Sequence, residues 1–150
     1  MLATENAVNS FMPANSHFET TVRQILLSMP FVQWLGLTFQ RIAPGDVEFL
    51  MPHRNEITFD GKALQAGPIG ALLDFAGATA AFTLAPAGVM LATIDYSVKL
   101  LNAVVGEQFL GRGEVISAGK SLTVARADVL VAGGQGRHVA TGLVTTQRLN

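Results

Sequence analysis

One carboxylate interrupts the most apolar stretch of the chain. In QAGPIGALLDFAGATAAFTLA, Gln65 to Ala85, nearly every residue is apolar or small, and Asp74 is the only acid. A carboxylate in such company loses hydration, which raises its pKa and sharpens it as a base or nucleophile. A plainer role fits the same pattern: a buried acid satisfied by a neighbouring hydroxyl or amide. About two turns before Asp74 stands a helix start built from Ala66-Gly67-Pro68. Unpaired backbone N–H groups at a helix start can hold a developing oxyanion. Pro68 has no N–H, so Ala66 and Gly67 are the candidate donors. An acid beside an oxyanion donor suits attack of water on a carbonyl.

Other chemistries fail on spacing or composition. The chain has no Cys, which excludes disulfides, Cys nucleophiles and thiolate metal sites, and fits a reducing cytoplasm. The Gly119-Lys120-Ser121 run lacks the glycine a phosphate-binding loop needs five positions earlier, where Glu114 stands. Ser121 lacks the closing glycine of a serine-hydrolase elbow. His17, His53 and His138 are scattered without metal-ligand spacing, so no metal is expected. A net charge of -1 argues against a nucleic-acid partner. Pro68 to Ala85 is about long enough to resemble a membrane span, but Asp74 and the absence of basic flanks argue against one. The opening MLATENAVNSFMPANSHFET has an early Glu5 and no basic region before an apolar run, unlike a signal peptide. A cytoplasmic location is therefore expected.

The elements that must position the acid follow from periodicity. Residues 1–17 show no clear period and read as a loose extension; 18–150 read as a single domain. Phe18, Val22, Ile25, Leu26 and Met29 share one helical face, and Pro30 stops or kinks that helix. LTFQRIAPGDVEFLMP reads as a hairpin turning at Pro44-Gly45-Asp46. Leu37, Phe39 and Arg41 alternate with Thr38, Gln40 and Ile42, and Val47, Phe49 and Met51 form the next apolar face. The apolar helix follows, with Pro68 in its first turn and Pro86 and Gly88 at its end. Four strand-like runs complete the chain. In the first, Ile94, Tyr96, Val98 and Leu100 alternate with Thr93, Asp95, Ser97 and Lys99. The order predicts an α+β domain with a long central helix on a curved antiparallel sheet. An apolar fraction of 49% and a helix needing cover on every side predict an oligomer, a dimer at least.

From about Phe31 to Arg148 the chain resembles the hotdog-fold acyl-CoA thioesterases of the PaaI-like branch, relatives of 4-hydroxybenzoyl-CoA thioesterase. The family pattern is His-Gly-Gly followed by an apolar helix with an Asp nine positions after the His. QAGPIGALLD sets Gln65 at the His, Ala66 and Gly67 at the glycines, and Asp74 at the catalytic acid. ATIDYSVKLLNAVVGE is similar to the family's Thr-x-Asp strand with its following Gly-Glu. Thr93 falls where relatives carry a Ser or Thr that helps position water.

The resemblance implies the hotdog fold, an acyl-CoA substrate, no cofactor, and a cleft shared with a second subunit in a homodimer or a homotetramer built as a dimer of dimers. It implies hydrolysis by Asp74 as base or nucleophile, with Thr93 and Gln65 orienting water or the acid and the Ala66 and Gly67 N–H groups holding the oxyanion. Lys120 and Arg112 are the candidate contacts for CoA phosphates. Gln65 replaces an ionisable His with a neutral amide, and relatives' upstream Asn has no counterpart near Phe59 or Asp60. Those departures keep a second reading open, a protein that binds an acyl-CoA or other apolar ligand without cleaving it. A hotdog hydratase, which pairs a catalytic His with an acid, is disfavoured because no His falls in the central helix region.

Overall fold

The computed structural model describes residues 10–149. Two helices open the chain, α1 (Phe18–Ser28) and α2 (Pro30–Leu35), followed by the hairpin β1 (Thr38–Ala43) and β2 (Asp46–Pro52). A 3-10 turn at Asn55–Ile57 leads into the central helix α3 (Ala66–Phe82). Five strands follow: β3 (Leu91–Tyr96), β4 (Lys99–Leu100), β5 (Gln108–Ala118), β6 (Leu122–Val131) and β7 (His138–Arg148). All pairings are antiparallel, in the order β1-β2-β5-β6-β7-β3, with β4 also on β7. This seven-stranded sheet carries α3 on one face, so the expected α+β architecture of a long helix on an antiparallel sheet is the one observed.

Small residues let helix and sheet approach closely. A Cβ at Gly111 would meet the Leu72 side chain at 2.7 Å, and one at Gly113 would run into the Ala76 carbonyl. On the helix, a Cβ at Gly77 would meet Val144 at 2.6 Å. Leu72, Leu73, Ala76 and Ala80 are completely buried against the sheet, and each leucine contributes about 1.5–3 kcal/mol by leaving water. Pro68, Ala71, Asp74, Phe75, Ala78 and Phe82 form a partly exposed stripe on the other side of α3. The acid therefore stands on the open side of its helix, although the helix is apolar all round.

Val22 and Leu26 of α1 are buried as the helical spacing predicts. Pro30 ends that run but also begins α2, where it occupies a first-turn position. In β2, Val47, Phe49 and Met51 are fully buried. Two strict alternations fail, each at a bulge. A shift between Phe39 and Arg41 places Arg41 opposite Glu48, on the face away from α3. Another between Thr93 and Asp95 pairs Thr93 with Thr146 and Tyr96 with Val144, so Thr93 and Tyr96 face the helix together. Of the extension expected to be loose, residues 1–9 lie outside the described residues. Phe11 packs against the core, and Asn15 accepts a hydrogen bond from the His17 N–H at 2.9 Å.

Candidate active site

Asp74 and Thr93 meet because the bulge in β3 turns Thr93 inward over the middle of α3. The Thr93 hydroxyl donates to Asp74 Oδ1 at 2.8 Å. Burial pushes the Asp74 carboxyl above the ordinary carboxylate range, and the Thr93 hydrogen bond opposes that shift by favouring the charged form. Both side chains line a cavity of about 150 Å³. Most of its other walls are apolar, with Ile25 from α1, Met29 at the junction of α1 and α2, Phe75 and Phe82 from α3, and Leu91 from β3. Thr79 also lines it, and its buried hydroxyl has no hydrogen-bond partner among the described residues. The cavity thus sets one carboxylate and a few hydroxyls in an apolar enclosure, an arrangement suited to moving a proton beside an apolar substrate group.

The helix start is elsewhere. Gln65, Ala66 and Gly67 are exposed, and the Gln65 side chain makes no cap. The space beside Gly67 is open: an added Cβ would meet nothing within 4 Å. Gln65 and Ala66 line a separate cavity of about 330 Å³ with Phe59, Ile69, Leu100 and Leu101. At about 1.5 Å of rise per residue, the start of α3 stands about 12 Å along the axis from Asp74. Among the described residues, the cavity lined by Asp74 and the one lined by Gln65 and Ala66 are separate.

The two basic candidates also lie apart from Asp74. Lys120 is exposed in the turn between β5 and β6, where the Gly119 N–H donates to the Leu122 carbonyl at 2.8 Å. Gly119 and Thr123, on either side of it, share a cavity with Ala81 and Leu84 at the C-terminal end of α3. Arg112 lies on the sheet face away from α3, and its Nε donates to Glu48 Oε1 at 2.7 Å. Glu48 is 64 residues away in sequence, so spacing alone did not reveal that pairing. Sequence reasoning also missed Thr79 and the α1 wall of the cavity. The helical face of Ile25 and Met29 was the available signal for the latter. Among the described residues, no group of three or more His, Cys, Asp or Glu side chains is placed to hold a metal, and no helix is long and apolar enough to cross a membrane.

A long helix seated on this sheet order, with a lone acid on its open stripe, defines a hotdog-fold protein. A thioesterase family protein from Silicibacter pomeroyi has the same fold at 33% identity, with 88% of this chain and 98% of that chain covered and a TM-score of 0.83. The chain belongs to that thioesterase family. The PaaI protein from the phenylacetic acid degradation operon of E. coli is similar in fold at 15% identity, covering 91% of this chain and 96% of that one, with a TM-score of 0.80. A thioesterase protein from Streptococcus pneumoniae, solved with coenzyme A, is similar at 18% identity over 76% of this chain and 86% of its own, with a TM-score of 0.67. No family model matches the chain, and no curated protein matches it by sequence.

Proposed function

We propose that this protein hydrolyses acyl-CoA thioesters, with Asp74 as base or nucleophile. The observation that carries this reading is the Asp74–Thr93 pair in a desolvated, apolar cavity on the central helix of a thioesterase-family fold. Thr93 holds the carboxylate in place. The cavity of about 150 Å³ receives the acyl group, and a space of that size accepts a ring about as large as benzene. The S. pneumoniae relative solved with coenzyme A supports CoA as the carrier. Lys120 is the proposed phosphate contact; Arg112 reaches the same role only by giving up Glu48.

The separation of the helix start from Asp74 supports a site shared between two copies. The Ala66 and Gly67 N–H groups of one would hold the oxyanion, and Gln65 would help orient water, beside Asp74 of the other. The sheet order ends at β3, and Ile94, Tyr96, Leu100 and Leu101 are exposed there, an apolar edge fit to meet a second copy. Two such dimers pairing would give the tetramer.

A second reading, a binding protein that does not cleave its acyl-CoA, is favoured by the neutral Gln65 at the family's His position. One experiment decides between them. Aromatic, short and long acyl-CoAs are offered to the protein and released CoA is followed with a thiol reagent, with calorimetry in parallel. Turnover supports the hydrolase; tight binding without turnover supports the binder and removes the catalytic assignment.

A further inference from the structure

Arg54 differs from the four arginines that form ion pairs. Arg23, Arg41, Arg112 and Arg126 each reach a carboxylate. In Arg54 the Nε and Nη2 atoms are buried, and neither meets a hydrogen-bond acceptor among the described residues. Those two atoms form the edge with which a guanidinium grips an oxyanion in two parallel hydrogen bonds. Arg54 as a whole is only partly buried, but two buried N–H donors left without an acceptor are unfavourable. Stacking compensates only in part: the guanidinium carbon lies 4.7 Å from the centroid of the Trp34 ring.

The surroundings connect that arginine to the proposed site. Trp34 is 49% exposed and stacks on Phe31, itself 50% exposed, with centroids 6.1 Å apart. Phe31 leans on Phe75 at 5.9 Å, and Phe75 lines the cavity that holds Asp74. A row of aromatic rings, half open to solvent, thus runs from the unpaired guanidinium to the wall of the Asp74 cavity. A ligand laid along this row would bury flat apolar surface over Phe31 and Trp34 and bring a negative group to the arginine.

We propose that Arg54 is the anchor for an oxyanion carried by the thioester ligand, reached as the Trp34 ring shifts from over the guanidinium. The oxyanion is either a carboxylate at the far end of the acyl group or a phosphate of CoA. The inference rests on the thioester reading for the nature of the ligand, but its test does not depend on hydrolysis.

Trp34 is the only tryptophan in the chain, so its emission reports on this site alone. Wild type and Arg54→Met are titrated with three ligands: free CoA, a glutaryl-pantetheine analogue in which nitrogen replaces the thioester sulfur, and the matching neutral butyryl analogue. Calorimetry follows binding independently. At least one anionic ligand is expected to change Trp34 emission saturably, and the neutral analogue to leave it unmoved. In Arg54→Met the affinity for that anionic ligand falls at least tenfold. A response to CoA identifies a phosphate as the oxyanion, and a response to the glutaryl analogue identifies an acyl carboxylate. Calorimetric binding of an anionic ligand while neither anionic ligand changes the emission overturns the proposal and leaves the thioester reading intact. Absence of all binding overturns both. An equal emission response to the neutral analogue, or equal affinity in Arg54→Met, also overturns the proposal; the wild-type comparison stands even where the variant does not fold.

Discussion

Asp46 and Asp74 are both pushed above the usual carboxylate range by burial, yet they live in opposite electrostatic surroundings. Asp46 belongs to a ladder of charges on the sheet face away from α3. Arg41 reaches it at 2.7 Å, Glu48 accepts from Arg112 at 2.7 Å, and Glu114 pairs with Arg126 at 2.6 Å. Each of these charges is held by a neighbour, the arginines half exposed and the carboxylates less so, and pairs with one solvated partner contribute about 0–1 kcal/mol. Asp74 has a neutral hydroxyl as its counterweight and an apolar cavity around it. The contrast shows what a charge is kept for. On the outer face, opposite charges satisfy one another; on the helix, the proposed role of Asp74 requires a carboxylate without a countercharge, free to take up a proton or attack a carbon.

The largest expected effect tests the reactive side of that contrast. Asp74→Asn keeps the shape of the side chain and removes its basicity. In steady-state assays kcat should fall about 10²–10⁴-fold, with KM little changed. A folded variant turning over near the wild-type rate would remove Asp74 from the chemistry.

Melting curves give the same substitution a second readout. The folded-state pKa of Asp74 is raised, so its favourable contribution to folding is present in full below the unfolded value of 3.8 and is lost as pH rises through the folded pKa. At neutral pH the wild type therefore carries the cost of a desolvated charge that Asn lacks. Asp74→Asn should melt above wild type at pH 7, and the gap should close as pH falls toward 3.8. A gap that is flat with pH would mean that Asp74 is not desolvated in solution.

Thr93→Val removes the one hydrogen bond that favours the charged carboxylate. A bond to a charged group is worth about 1.5–3 kcal/mol, so a loss of about 10- to 100-fold in kcat is expected. The acid limb of the pH–rate profile should also move to higher pH, because the Asp74 pKa rises further without its donor. An unmoved limb would show that Thr93 merely fills space.

Lys120→Ala should raise KM for CoA thioesters by about 2- to 5-fold, the worth of an exposed charge contact, and leave pantetheine thioesters unchanged. Equal effects on the two substrates would make Lys120 a solvated turn residue. The smallest effect is expected on the ladder. Arg112→Ala should cost at most about 1 kcal/mol in chemical denaturation and leave KM where it was. A KM increase confined to CoA thioesters would instead show that Arg112 leaves Glu48 to bind phosphate.

Much of this was legible in local pattern. The apolar run with its flanking prolines predicted α3, and Val47, Phe49 and Met51 gave the buried face of β2. Asp74 and Thr93 were both singled out, although their hydrogen bond depends on a bulge that period-two alternation cannot reveal. The same limit hid the outward turn of Arg41. The partner of Arg112 lies on a strand formed 64 residues earlier, and the Arg54–Trp34 stack joins a loop to a short helix. Such contacts arise from topology, which residue spacing alone does not report. The gap between the helix start and Asp74 was present in the residue count, but a linear motif reads neighbours in sequence as partners in space.

The place of β3 at the end of the sheet has a further consequence, for the order in which the protein is made. Among the described strands, β3 pairs with β7 alone, joining Thr93 to Thr146. A ribosome that has released α3 and β3 has therefore produced the acid and its hydroxyl partner without the strand that aligns them. The Asp74–Thr93 contact waits until the residues of His138–Arg148 have emerged. Pairing this distant in sequence is slow because loop closure precedes any gain from the contact. During that interval the apolar edge has no native neighbour, and unpaired edges of this kind are prone to join other chains. The Asp74–Thr93 contact is then among the last parts of the molecule to form, and a nascent chain arrested before residue 138 should hold most of the helix without that aligned pair.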